Sequence, residues 1–87
     1  MWNTKLRLVR KLNGKQKVIG YSGYMDRLRT MQDNLSPQEK IGKFVIESRS
    51  TPKSDDWTVF EVLHDDGLWY NELGQRLVFN GKMFVYQ

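Results

Sequence analysis

The chain has 87 residues, a net charge of +4 and no cysteine. That length suits one domain spanning residues 1–87 and is too short for two. Disulfides and thiolate metal sites are excluded, and no apolar run approaches the ~18 residues that read as a membrane helix.

Charge is unevenly spread along the chain. Residues 1–25 carry Lys5, Arg7, Arg10, Lys11, Lys15 and Lys17 and no acid, whereas the other eight basic residues share the rest of the chain with all ten acids. Such asymmetry points to a polyanionic partner for the first segment. The opening residues Met1–Lys5 lack the ~7–15-residue apolar core of a signal peptide, so a reducing, cytoplasmic setting is expected.

Residues 4–12 and 15–21 alternate around Asn13-Gly14, the dipeptide that best supplies positive φ at both centres of a two-residue turn. A hairpin follows, with Leu12 facing Lys15, Arg10 facing Lys17, Leu8 facing Ile19 and Leu6 facing Tyr21. Partners opposite one another share a face. Leu6, Leu8, Ile19 and Tyr21 are thus expected on the apolar side. Lys5, Arg7, Val9, Lys11, Gln16 and Val18 fall on the other, and Arg10, Lys15 and Lys17 crowd the tip.

Tyr24, Leu28, Met31 and Leu35 then recur at helical spacing, with Asp26, Arg27, Arg29, Thr30 and Asp33 opposite. Ser22 is the expected N-cap, and Arg29 can pair weakly with Asp33 one turn on. Ser36-Pro37-Gln38-Glu39 has the composition of a capping box, which predicts one helical turn at 37–41, stopped by Gly42. From Lys43 the pattern is β. Phe44 and Ile46 alternate with Val45 and Glu47. A polar loop spans 48–56, and a strand covers 57–63. His64-Asp65-Asp66-Gly67 forms a turn, residues 68–70 a short strand, and Asn71–Gly74 another turn. Strands 76–79 and 82–86 flank Asn80-Gly81 in a second hairpin. The expected fold is therefore α+β: an antiparallel sheet of about six to seven short strands, ordered ββα and then β-rich, with one amphipathic helix on one face.

Chemistry-bearing motifs are sparse. His64, Asp65 and Asp66 are the one cluster resembling a catalytic or metal site. Two aspartates before glycine are better read as turn formers, and a metal site wants three or four converging ligands. Neither a phosphate-binding loop nor a nucleophile elbow is present. A non-enzymatic protein with no cofactor and no metal is expected.

The basic hairpin carries the functional expectation. Lysine and arginine neutralise phosphates, and a basic ribbon or sheet face can track nucleic acid. The candidate contacts are Lys5, Arg7, Arg10, Lys11, Lys15, Lys17, Arg27 and Arg29, with Trp2, Tyr21 and Tyr24 as aromatic neighbours. RNA ranks ahead of specific duplex DNA because no recognition helix is apparent. The C-terminal hairpin, apolar on both faces, suggests a homodimer through Val78, Met83 and Val85. An alternative use of the same hairpin, with Trp57 and Trp69, is a protein-binding inhibitor or adaptor acting on a host enzyme. In size and lack of motifs the chain resembles in type the small accessory and regulatory proteins that viruses and mobile elements encode.

Overall fold

A computed structural model describes residues 4–87. Trp2 therefore lies outside the described residues. Strands β1 (Leu6–Leu12) and β2 (Lys15–Ser22) precede helix α1 (Met25–Asp33). Five strands follow: β3 (Lys43–Ser48), β4 (Thr58–Leu63), β5 (Trp69–Asn71), β6 (Leu77–Phe79) and β7 (Phe84–Tyr86). The first five strands form one antiparallel sheet in the order β2-β1-β3-β4-β5, and β6 pairs with β7 in a second. This is the α+β fold read from the sequence, and among the described residues no helix is long and apolar enough to cross a membrane.

The helix lies on the sheet face presented by even-numbered β1 and β3 residues. Leu8, Leu28, Phe44, Ile46, Trp69 and Leu77 make one buried cluster, with Ile19, Met31 and Leu35 packed at its margin. A nine-residue helix is marginal alone in water. Burying a side chain such as Leu28 is worth about 1.5–3 kcal/mol, so packing rather than propensity holds it. The other sheet face carries a row of valines, Val18, Val9, Val45 and Val62, in direct cross-strand register.

The first hairpin turns at Asn13 (φ 54°) and Gly14 (φ 75°), as the dipeptide requires. Its register departs from expectation beyond Val9. Val9 pairs with Val18 but Leu8 pairs with Gly20, leaving Ile19 as a bulge. One extra residue moves everything after it to the opposite face. Tyr21 therefore opposes Arg7 rather than Leu6, and leaves the apolar side.

Three further expectations are corrected. The helix N-cap is Tyr24, without a side-chain cap bond. Ser22 Oγ instead accepts the Tyr24 amide at 3.1 Å. Residues 37–40 form a turn rather than a helical turn, although the capping-box contacts are present. Ser36 Oγ lies 2.8 Å from Glu39 Oε1, and the Ser36 amide donates to the same oxygen at 3.4 Å. The second hairpin has a four-residue loop, because Phe79 pairs with Phe84. Asn80 turns it with its side chain, accepting the amides of Lys82 and Met83 at 2.9 Å each. The shift is by an even number of residues, so Leu77, Phe79, Phe84 and Tyr86 still share a face, while Met83 falls in the loop.

Candidate nucleic-acid interface

The β1–β2 turn projects a set of lysines. Lys15 and Lys17 are exposed on β2, and Lys11 sits on β1. Antiparallel pairing of β1 with β3 places Lys43 directly opposite Lys11, on the face away from the helix. Like charges in direct cross-strand register repel. None of these four lysines forms an ion pair among the described residues. Shallow grooves flank the tip. One of about 520 Å³ is lined by Lys11, Lys15 and Lys43 with Asn13 and Gly14. Another of about 390 Å³ is lined by Arg10, Lys15 and Lys17. Glu39 is the acid that feels this charge. The Ser36 hydroxyl, more than any other neighbour, holds its carboxyl below the usual range, and Lys17 and Arg10 add to that.

Lys43 was not among the residues singled out by sequence. Its role depends on a pairing between strands more than thirty positions apart, and no local pattern announces it.

The arginines behave differently from the lysines. Arg7 Nε bonds Glu47 Oε1 at 2.8 Å, and its guanidinium lies 4.2 Å from the Trp57 ring centre. Arg49 approaches the same ring at 4.5 Å and donates to the Thr4 carbonyl at 2.7 Å. Arg10 donates to the Ile41 carbonyl at 2.6 Å and more weakly to Gln38 at 3.5 Å, holding the 38–41 segment against β1. Arg29 faces the sheet rather than solvent and grips Glu61 with two bonds of 3.0 and 2.5 Å. The expected Arg29–Asp33 pair is absent, and Asp33 instead lies 4.0 Å from Lys40. Arg27 is exposed, with its guanidinium 5.3 Å from the Tyr24 ring centre. Lys5 is exposed near the chain start. Of the eight candidates, Lys15 and Lys17 share the helix-side face of the tip with Arg10, and Lys11 lies on the opposite face of the same tip beside Lys43; Lys5 and Arg27 lie elsewhere; Arg7 and Arg29 are committed to ion pairs.

The aromatic candidates also separate. Tyr21 stands 6.1 Å from Trp57 on the helix-free face, while Tyr24 is 64% exposed before the helix. His64 stacks on Tyr70 at 3.8 Å, and Tyr70 donates its hydroxyl to Asp66 at 2.5 Å. That bond is the main cause of a lowered Asp66 carboxyl and a raised Tyr70 phenol. Asp66 also accepts the Leu68 amide at 2.9 Å, so the aspartate shapes the turn. No group of three or more metal-ligating side chains converges among the described residues.

In the C-terminal hairpin Val78 and Val85 are paired and half-buried. Phe79, Met83 and Phe84 are 59%, 61% and 57% exposed, and the two rings meet edge to face at 5.3 Å. No protein-family model, curated protein or solved structure matches the chain.

Proposed function

We propose that this protein is a small cytoplasmic nucleic-acid-binding protein without catalysis of its own, and that it takes RNA in preference to specific duplex DNA. The observation that carries the reading is the Lys11–Lys43 cross-strand pair beside Lys15 and Lys17. Four uncompensated charges around one turn cost stability through mutual repulsion, and a phosphate backbone offsets that cost by replacing repulsion with counterion release. The main-chain tip is a ribbon too short to present a reading helix, so contacts to phosphate dominate contacts to base edges. The test is binding of a labelled single-stranded RNA across a salt series, with the four lysines neutralised in a second protein.

A second reading rests on Phe79, Met83 and Phe84. Three large apolar side chains exposed on one hairpin form a patch of the sort that marks protein contacts. A homodimer through this hairpin is the simplest form of that reading, and a host protein is the other. Both are compatible with nucleic-acid binding at the opposite hairpin.

A further inference from the structure

The two faces of the five-stranded sheet differ in what covers them. Among the described residues, α1 and the β6–β7 hairpin both pack on one face, where Leu28, Leu77 and Tyr86 join the cluster of Leu8, Phe44 and Ile46. The helix-free face has no second layer among them. Register places Lys11 opposite Lys43 at its tip end, then the valine row, then Tyr21, Arg7, Glu47 and Val59. Lys5 continues the same face two residues before Arg7, its carbonyl accepting the Arg49 amide at 2.9 Å. Val9 and Val45 are buried and Val18 and Val62 half-buried, but Tyr21 and Val59 are 37% and 42% exposed. A solvated sheet face is ordinarily polar, and an apolar one marks a contact.

Charge on this face decides what covers it. Strands β1, β2 and β3 carry a single acid, Glu47, and Arg7 already holds it at 2.8 Å. Lys5, Lys11 and Lys43 have no ion-pair partner among the described residues. The helix side of the tip differs. Arg10 is spent there on the Ile41 and Gln38 carbonyls, and Glu39 lies in the field of Lys17 and Arg10. A second copy stacked on the helix-free face by two-fold symmetry would set lysines against lysines. The face therefore suits an occupant with negative charge along its length and flat apolar surface near Tyr21. Polyphosphate and duplex phosphates supply the charge alone, whereas a single strand with unpaired bases supplies both.

Resting on the nucleic-acid reading above, we infer that a single strand leaves the tip along the helix-free face, with its phosphates on Lys11, Lys43 and Lys5 and a base stacked on Tyr21. Lys5 and Lys11 are six positions apart, about 20 Å along an extended strand. The track therefore runs well beyond the turn. Trp57 braces the Tyr21 ring, with centres 6.1 Å apart, so stacking a base there orders little that is not already held.

The experiment measures binding of the full chain to a labelled oligouridine and, in parallel, to inorganic polyphosphate. Tyr21→Leu should weaken oligouridine binding about tenfold and leave polyphosphate binding unchanged. Lys5→Gln should lower the steepness of the oligouridine salt dependence by about 0.7. Arg27→Gln, exposed on α1 across the sheet, should not change it. Amide NMR of the wild type should show oligouridine shifts at Tyr21 and Val59 as well as at the tip, which reports the path even if Tyr21→Leu does not fold. Shifts confined to the tip, with oligouridine affinity and slope unaltered by Lys5→Gln, would overturn the path while leaving phosphate binding at the tip intact. A dimer dispersed by Tyr21→Leu but not by Phe79→Ser would give the face to a second copy and overturn the path as well. Absence of any oligouridine binding by the wild type would overturn both the path and the nucleic-acid reading.

Discussion

Arg29 of α1 holds both carboxylate oxygens of Glu61 on β4, at 3.0 and 2.5 Å, and Glu61 is fully buried. Tyr86 of β7 donates its hydroxyl to the same carboxylate. One acid thus ties the helix, the main sheet and the C-terminal hairpin together. Removing one partner of a buried pair strands the other charge, which costs about 3–5 kcal/mol. Arg29→Ala should lose about that much in urea unfolding. The double variant Arg29→Met, Glu61→Leu should lose much less, because it leaves no uncompensated charge. Equal losses in both would mean that the pair does not act as a unit.

Tyr86 provides a pH test of the same junction. Burial, and then the bond to Glu61, push its phenol up to about 12. The ordinary tyrosine value is ~10. A folded-state value above the unfolded one gives stability that is fully present below ~10 and lost as pH rises through about 12. Phenolate absorbance, compared between the wild type and Tyr86→Phe, should show one late-titrating tyrosine missing from the variant. The alkaline loss of stability between those limits should be shallower in Tyr86→Phe.

Gly42 joins the 38–41 turn to β3 at φ 112°, and a Cβ there would stand 2.8 Å from the Lys11 carbonyl oxygen. Gly42→Ala should therefore destabilise by about 1–3 kcal/mol. Gly23→Ala should be neutral or slightly stabilising, since no atom lies within 4 Å of its added Cβ. Thermal melts of the two variants make the comparison. A neutral Gly42→Ala would mean that the β1–β3 edge near the lysines is looser than described.

The C-terminal hairpin should self-associate if its exposed rings form an interface. Sedimentation velocity at high micromolar concentration should show a dimer, and Phe79→Ser should shift it toward monomer more strongly than Val78→Lys, because Val78 is half-buried and Phe79 is 59% exposed. A clean monomer at that concentration excludes this interface.

Much of the fold was legible because the strongest local signals are short-range. Asn13-Gly14 fixed a turn, and the Leu28, Met31, Leu35 spacing fixed a helix. The Ile19 bulge was not legible. A bulge is set by how β2 meets both the helix and β1, and nothing in Val18-Ile19-Gly20 demands it. The Asn80-Gly81 loop misled for a related reason. The same dipeptide can turn by backbone, as at Asn13, or by an Asn side chain that accepts amides, as at Asn80. At the candidate site, the lysines of β1 and β2 were visible as a charge run. Lys43, the commitment of Arg7 to Glu47 and that of Arg29 to Glu61 were not, because each depends on strands or a helix brought together from distant parts of the chain.

The most direct test of the central claim is the salt dependence of binding to a single-stranded RNA. If Lys11, Lys15, Lys17 and Lys43 each touch a phosphate, the slope of log affinity against log salt should be about −3. Changing all four to glutamine should flatten that slope while leaving the unfolding free energy unchanged or raised, since surface changes usually stay within about 0.5 kcal/mol each and repulsion is relieved. Arg7 and Arg10 are left in place because they hold Glu47 and the 38–41 backbone. An RNA affinity and slope that do not change in the four-glutamine protein, or no binding by the wild type at low salt, would contradict the account.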